Sequence, residues 1–274
     1  MESNLKEILY PLVGRWSARR GRELKAPVFI VGTGRCGTSL SVKILNSHPQ
    51  LAGYPSEGNR LWHPRAYPYH ARTVDTPPIV EDPLRFIQIS LSAWPRGHEE
   101  TIRRTFLGFL CLKGSSRTFF LKSAMISHMM PKIVTIFPDA RFLHVYRTGP
   151  SVVESFLKKE WDKYRNYFRP EEEFRLLSAG YWNDCILEIE KQKQLLRLEE
   201  RGRFFEYSYE GLCADPSGTM SRLASFLGID AREFGFDLGK VSSTNFKVGD
   251  FSGDPRWITS LERMAPAMKL KGYL

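Results

Sequence analysis

Short apolar runs alternate with stretches of helical spacing along most of this chain. Each of five apolar runs has the length of one buried strand. They lie at residues 27–31, 51–54, 117–123, 140–147 and 204–207. Between and after these runs, apolar residues recur every three or four positions, which predicts helices. The predicted helices cover residues 38–47, 99–112, 126–137, 150–160, 171–199, 216–227 and 257–274. This alternation predicts an α/β fold with a central parallel β-sheet flanked by helices.

Two segments stand apart from the alternation. Residues 1–26 precede the first strand and carry a basic run from Arg15 to Lys25, which we interpret as a solvated face of a helical N-terminal extension. Residues 27–274 are predicted to form a single domain, since no linker or repeat interrupts them. Within it, residues 55–95 are rich in Pro, Trp, Tyr and His without a sustained period, so we expect a substrate-pocket or lid segment there.

Composition and charge narrow the class of protein. The 274 residues are 42% hydrophobic and carry a net charge of +10, which suits a polyanionic ligand. No apolar stretch approaches the roughly 20 residues that span a bilayer, and the first residues do not resemble a signal peptide. We therefore expect a cytoplasmic protein with neither stable membrane insertion nor a nucleic-acid partner. The oligomeric state is not readable from the sequence.

The four cysteines are scattered along the chain and form no C-x-x-C pair. Their spacing argues against a zinc site and against a disulfide framework, so no metal is predicted. Cys36 is the exception among thiols that we expect to be buried. It lies at a predicted helix N-terminus, a position that favours the thiolate.

The segment from Gly32 to Ser39 has the features of an anion-binding loop. Its glycines allow successive backbone N–H groups to point into one concavity, and the helix that begins near Thr38 adds the positive end of its dipole. A nucleoside-triphosphate loop would carry Lys where Thr38 stands, followed by a hydroxyl for Mg²⁺. Here the cation is Arg35, inside the loop. This pattern points to a bound nucleotide that carries a group other than a terminal phosphate.

A second anion site is predicted where another strand ends. Arg147 closes the strand, and Ser155 follows two helical turns later, so both side chains can face one crevice. A guanidinium and a hydroxyl together suit a nucleotide 3′-phosphate. The predicted strands end in Lys122, Arg147 and Tyr207-Ser208 rather than in the aspartate that would hold Mg²⁺, which argues against a kinase or ATPase.

Together these motifs resemble the sulfotransferases that use 3′-phosphoadenosine 5′-phosphosulfate (PAPS). The first motif reads P-V-F-I-V-G-T-G-R-C-G-T-S-L and is similar to the family's 5′-phosphosulfate loop, with Cys36 in place of Ser and Ser39 in place of Thr. The second is similar to its 3′-phosphate signature. Further landmarks place the chain closest to the tyrosylprotein-like and bacterial branch; they are His48-Pro49, residues 137–142, Trp182-Asn183, residues 209–212 and residues 226–228. The resemblance implies the P-loop sulfotransferase fold, with PAPS as co-substrate and no metal.

The resemblance also implies roles for individual residues. The implied cofactor-binding residues are Gly34, Arg35, Cys36, Gly37, Thr38, Ser39, Arg147, Ser155, Tyr209 and, in a late loop, Lys247. Among catalytic residues, Arg35 would stabilise the phosphosulfate and Lys122 would lie beside the bridging oxygen, although a structural Lys there would pair with a carboxylate. Glu57 would be the general base, with His63 and His128 as alternatives.

The sequence thus predicts metal-free, in-line transfer of a sulfuryl group from PAPS to a hydroxyl or amine. The acceptor is left open among small molecules, glycans and peptides. Two alternatives remain at this point: a P-loop small-molecule kinase that uses ATP, and a non-catalytic module that binds nucleotides or polyanions.

Overall fold

A computed structural model describes residues 2–64, 78–114, 116–166, 168, 171–241 and 254–274, with side chains from Leu9 onward. Five strands form one parallel sheet in the order β2-β3-β1-β4-β5. They are β1 (Val28–Val31), β2 (Leu51–Gly53), β3 (Thr118–Lys122), β4 (Arg141–Tyr146) and β5 (Phe204–Ser208). The predicted parallel sheet is confirmed. Because the strands run in one direction, their carboxyl ends meet at one edge, where Lys122 pairs in register with Ile30.

Eleven α-helices lie in the described part of the chain. They are α1 (Glu2–Ala18), α2 (Thr38–Asn46), α3 (Asn59–Trp62), α4 (Pro83–Ser92), α5 (His98–Lys113), α6 (Met130–Ile136), α7 (Gly149–Tyr164), α8 (Glu171–Leu195), α9 (Tyr209–Ala214), α10 (Pro216–Leu227) and α11 (Ile258–Leu270). Among these described helices, none combines the length and apolar character that a bilayer span requires.

The sheet separates two apolar layers. Alternate strand residues point to opposite faces, so Phe29 and Phe119 join one buried cluster while Val28 and Phe120 join the other. The first cluster takes its helical members mainly from α5, α7 and α8, and the second from α2 and α10. Helices therefore cover both faces, as expected for a parallel sheet.

The structure departs from the predicted elements at several places, of which two bear on the site. The helix expected over 126–137 is a 3-10 helix, Ala124–His128, followed by α6. Pro131 lies in the first turn of α6 and cannot continue a helix from the preceding turn, which explains the break at Met129. The second difference is α4, inside the segment predicted to lack a period. Asp82 caps this helix by accepting from the Arg85 N–H, and its buried residues include Phe86.

The N-terminal helix packs against α5 through two glycines. A Cβ on Gly14 would lie 1.8 Å from the Arg104 carbonyl oxygen, and one on Gly108 would lie 1.8 Å from the Tyr10 carbonyl oxygen. The two backbones are therefore closer than any side chain at these positions would allow. Tyr10 enters the first apolar cluster beside Phe109, with a ring-centroid distance of 5.6 Å. This contact fixes which face of α1 points away from the protein.

Candidate functional site

A cavity of about 370 Å³ opens at the carboxyl ends of the strands. Its lining includes every sequence-predicted site residue except Cys36 and Lys247. These lining residues are Gly34, Arg35, Gly37, Thr38, Ser39, Glu57, Lys122, Arg147, Ser155 and Tyr209. The two predicted anion sites therefore share one cavity. Lys247 lies outside the described residues.

The loop between β1 and α2 is held in place at both ends. At its start, the Ser127 hydroxyl lies 2.9 Å from both the N and the O of Gly32, which ties the loop to the 3-10 helix. At its end, Gly37 adopts φ 103°, a value that side chains disfavour. A Cβ there would lie 2.5 Å from Cδ2 of Tyr209, so the glycine also leaves room for that ring. These contacts therefore fix the start of α2, and with it the first backbone amides of the helix, at the cavity.

Arg35 connects the loop to α7. Its backbone has φ 67°, and its Nε donates to the Ser155 Oγ at 3.1 Å. One of its terminal nitrogens lies 3.9 Å from the Glu160 carboxylate, one turn further along α7. The guanidinium is thus directed along the cavity by a hydroxyl and a carboxylate from the same helix. Glu160 was not predicted from the sequence.

Arg147 lines the cavity and carries a buried polar atom without a hydrogen-bond partner. Its Nε is buried, and no hydrogen-bond partner is within reach of it among the described residues. The guanidinium carbon lies 4.9 Å from the centre of the Tyr209 ring, within cation–π range. The Arg147 carbonyl accepts from the Trp182 indole N–H at 3.1 Å, which fixes the backbone. A buried donor without a partner is costly, so an anion in the cavity would stabilise this arrangement.

The backbone after Arg147 is anchored by a chain of contacts that involves the C-terminus. The Thr148 N–H donates to Glu210 at 2.9 Å, and the Tyr273 hydroxyl donates to the other oxygen of Glu210 at 3.0 Å. Burial and the neighbouring Glu210 charge raise the pKa of Tyr273 far above its usual range, so its hydroxyl stays protonated. No signal in the sequence marks Tyr273 as part of the site.

Lys122 and Glu57 form an ion pair on the cavity wall. The Lys122 ammonium, at the end of β3, donates to Oε1 of Glu57 in the loop after β2. The expected alternative for Lys122, pairing with a carboxylate, is therefore present, and the partner is the acid that the sequence assigned as general base. The next residue after Lys122, Ser123, caps the 3-10 helix Ala124–His128. Its Oγ accepts a hydrogen bond from the Met125 N–H at 3.2 Å.

Cys36 departs from the prediction of a favoured thiolate. Its side chain is fully buried, and its Sγ donates to the Thr33 carbonyl at 2.8 Å. Burial raises the pKa of the thiol to about 11, an effect that outweighs the nearby backbone donors. The thiol points into the core, and Cys36 is not among the residues that line the cavity.

The two alternative histidine bases lie away from the cavity lining. His63 packs against Phe86 with a centroid distance of 5.3 Å, and burial lowers its pKa to about 3. Burial likewise lowers the pKa of His128 to about 4. Trp62 and Trp94, from the segment predicted to form a substrate pocket or lid, pack against each other with tilted rings whose centroids are 6.4 Å apart. Of the acid–base candidates, the structure therefore brings Glu57 alone to the cavity.

Other lining residues were missed by sequence reasoning. They give one side of the cavity an apolar and aromatic wall, and they comprise Ile79, Val80, Ala124, Met125, Phe156, Tyr164 and Tyr181. Of these residues, Phe156 is the one that the sequence could have indicated, because it directly follows the predicted site residue Ser155. The described ranges contain no group of three or more His, Cys, Asp or Glu side chains arranged to hold a metal ion.

A second cavity, of about 410 Å³, adjoins the first. It lies between α1, α5 and the segment that follows β2, and Pro11, Tyr54, Asn59, Leu61 and Thr101 are among its lining residues. Glu57, which pairs with Lys122, therefore borders both cavities.

Comparisons with known proteins converge on one family. A family model described as "Sulfotransferase family" matches residues 27–233. Two curated relatives, omega-hydroxy-beta-dihydromenaquinone-9 sulfotransferases Stf3 of Mycobacterium bovis and of Mycobacterium tuberculosis, are each 24% identical over 249 residues. Each match covers 74% of this chain and 63% of the relative, so the chain spans less than two thirds of their length.

Solved structures share the fold at low sequence identity. Sulfotransferase STF1 from Mycobacterium tuberculosis H37Rv aligns with a TM-score of 0.57 and 13% identity, covering 95% of this chain and 83% of that one. The sulfotransferase domain of the Synechococcus PCC 7002 olefin synthase aligns with a TM-score of 0.54 and 16% identity, covering 88% and 95%. The overall fold is therefore that of known sulfotransferases.

Proposed function

Because the chain belongs to the sulfotransferase family, we propose that it transfers the sulfuryl group of PAPS to a hydroxyl or amine of an acceptor. The observation that carries this proposal is the shared cavity. The loop before α2 and the Arg147–Ser155 motif were assigned to opposite ends of the nucleotide, and both line it. A ligand with phosphate groups at its 3′ and 5′ positions fits such an arrangement.

The residues present fit an anionic nucleotide. The buried Nε of Arg147 requires an acceptor that the described side chains do not supply, and a 3′-phosphate offers one. Arg35 and the first backbone amides of α2 would hold the 5′ side. The Tyr209 ring lies between these two regions, close to both Arg147 and Gly37, where it would contact the nucleoside.

When bound, PAPS would supply an activated sulfuryl group for transfer between two oxygens. The contribution of the protein is to position groups and to balance charge. Arg35 and Lys122 place two cations on the cavity wall. The Glu57 carboxylate would be the proton acceptor for an incoming hydroxyl, and its pairing with Lys122 holds it at the cavity wall.

The acceptor would reach Glu57 through the second cavity. The nucleotide would occupy the side of the first cavity lined by the glycine loop, and in-line transfer requires the acceptor oxygen to approach from the opposite side. The relatives are named for a hydroxylated dihydromenaquinone acceptor. An acceptor with an apolar body is consistent with the wall formed by Val80, Met125 and Tyr181.

Calorimetry in EDTA tests the nucleotide assignment. We expect adenosine 3′,5′-bisphosphate to bind at least tenfold more tightly than AMP, which lacks the 3′-phosphate. Arg147→Met should remove most of this preference, since a hydrogen bond to a charged group contributes about 1.5–3 kcal/mol. Arg232→Met is the matched control, because Arg232 is exposed and pairs with Asp230 on the surface. Equal affinity for the two nucleotides would contradict the proposal.

Transfer itself is tested with ³⁵S-labelled PAPS and a panel of phenols, long-chain alcohols and sugars. Label should move to at least one acceptor. Mg²⁺-dependent turnover of ATP would instead indicate a kinase. Tight nucleotide binding without transfer to any acceptor would indicate the non-catalytic module.

A further inference from the structure

Three large apolar side chains are exposed on one face of α1. Leu9, Leu12 and Trp16 are 44%, 60% and 51% exposed, and their spacing of three and four residues aligns them along the helix. The opposite face of α1, with Tyr10 and Gly14, is packed against α5. The exposed stripe of Leu9, Leu12 and Trp16 is therefore not the face by which α1 packs on the core. It points outward from a helix whose rotation is fixed.

Cations cluster at the C-terminal end of this stripe. Arg15, Arg19, Arg20, Arg22 and Lys25 are all exposed, and Glu23 is the single acid between residues 9 and 25. The Arg20 guanidinium lies 3.5 Å from the centre of the Trp16 ring, so charge and apolar surface meet directly. Among the described side chains, no carboxylate pairs with Arg15, Arg19 or Arg20. The surface therefore combines apolar contact area with uncompensated positive charge.

This combination identifies a partner by its chemistry. An in-plane helix with leucine and tryptophan on the membrane side and arginine at the rim buries its apolar groups at the headgroup boundary, where the cations meet anionic lipid. We propose that the outward face of α1, formed by Leu9, Leu12 and Trp16 with the arginines at its rim, docks on an anionic lipid bilayer. The contact is peripheral, since it uses one face of a helix whose other face belongs to the protein core.

The docking face adjoins the candidate active site. Pro11, next to Leu12, lines the second cavity together with Glu57. Docking would therefore bring the mouth of that cavity close to the lipid surface, a suitable position for an acceptor alcohol that resides in the membrane. This statement about the acceptor rests on the proposed function, whereas the docking itself does not.

Vesicle sedimentation tests the docking without any need for activity. The full chain is mixed with vesicles of phosphatidylcholine alone or with 30% phosphatidylglycerol (about one lipid in three), at an ionic strength of about 0.1 M. We expect binding to the anionic vesicles only. The double variant Arg19→Gln, Arg20→Gln should bind at least about tenfold more weakly, from roughly 1 kcal/mol for each cation near an anionic surface.

A second pair of variants tests the apolar part of the contact. Leu12→Ser with Trp16→Ser should weaken vesicle binding at least tenfold, whereas Leu195→Ser should leave it unchanged. Leu195 is the matched control because it is 69% exposed at the end of α8. All variants should retain the wild-type circular dichroism spectrum and the wild-type midpoint of urea denaturation, which report that they are folded.

Three results would overturn the docking proposal. The first is a wild-type chain that fails to bind anionic vesicles. The second is a loss of binding in Leu195→Ser as large as in the α1 variants. The third is a lipid-free dimer, seen by sedimentation velocity, that the Leu12→Ser and Trp16→Ser changes dissociate, since the face would then be an interface between two copies of the chain.

Discussion

Arg35 and Ser155 are 120 positions apart in sequence and are joined by a hydrogen bond of 3.1 Å from Nε to Oγ. Each belongs to a different anion-binding motif, one after β1 and one after β4. These strands are neighbours in the sheet, so their carboxyl ends bring the motifs together. The contact means that the residue assigned to one phosphate helps to orient the residue assigned to the other.

Replacing Ser155 with Ala should affect both ends of the nucleotide. The variant removes a proposed ligand of the 3′-phosphate and leaves the Arg35 guanidinium without its hydroxyl partner. We expect the affinity for adenosine 3′,5′-bisphosphate, measured by calorimetry, to fall by about tenfold or more, the equivalent of a hydrogen bond to a charged group. Ser221→Ala, on the exposed side of α10, is the matched control. Unchanged binding in the Ser155 variant would show that the contact is not part of the nucleotide site.

Glu57→Gln should separate turnover from nucleotide binding. The amide keeps the size of the side chain but cannot take a proton from the acceptor, so kcat should fall by roughly 10²–10⁴-fold, the usual contribution of a general base. Affinity for adenosine 3′,5′-bisphosphate should change less than threefold. The change is measured by transfer of ³⁵S from PAPS to the best acceptor found in the panel. A variant with wild-type kcat would remove Glu57 from the mechanism.

The sequence predicts the sheet well because the three central strands β1, β3 and β4 are mainly buried apolar runs of recognisable length. The glycine loop is predictable for a related reason. It is one continuous segment, and its glycines allow the backbone conformations that the loop requires. Helix α4 was missed even though Asp82-Pro83 is a capping signal, because the surrounding residues obscure the apolar spacing. The break before Pro131 could have been read from that proline alone.

Side-chain direction within loops is much harder to predict. A loop lacks the periodicity that assigns strand and helix residues to faces, so nothing in the sequence shows that the Cys36 thiol points into the core. The same holds for contacts between distant segments. The hydrogen bond from Tyr273 to Glu210 exists because the end of α11 packs near β4 and β5, an arrangement that only the tertiary structure defines.

Gly37→Ala tests the geometry of the loop. The new Cβ would meet the Tyr209 ring at 2.5 Å in a backbone conformation that alanine disfavours, so we expect a loss of about 3 kcal/mol in unfolding free energy. Gly202→Ala is the control, because Gly202 also has positive φ but no atom within 4 Å of its Cβ position. It should cost about 1 kcal/mol in urea denaturation. Equal costs for both variants would contradict the close approach of Tyr209 to the loop.

Cys36 should resist alkylation in the folded protein. With its pKa raised to about 11 and its side chain buried, the thiolate fraction at pH 8 is on the order of one in a thousand. Cys111 and Cys213 are partly exposed and should react first with iodoacetamide, as read by peptide mass spectrometry. Denaturation should make Cys36 react as fast as the other two. Rapid labelling of Cys36 in the native protein would show that the loop does not hold the thiol in the core.

His63 should make the protein less stable in mild acid. Burial lowers its folded-state pKa to about 3, whereas the unfolded chain has a pKa near 6.5, so below pH 6.5 the unfolded state binds a proton that the folded state does not. The unfolding free energy should therefore decrease as pH falls, by about 2 kcal/mol between pH 6.5 and 5 from this residue. His63→Phe should be folded, since the ring packs against Phe86, and it should reduce the pH dependence by that amount. Urea denaturation at several pH values measures the difference, and parallel curves for wild type and variant would show that His63 is not buried in its neutral form.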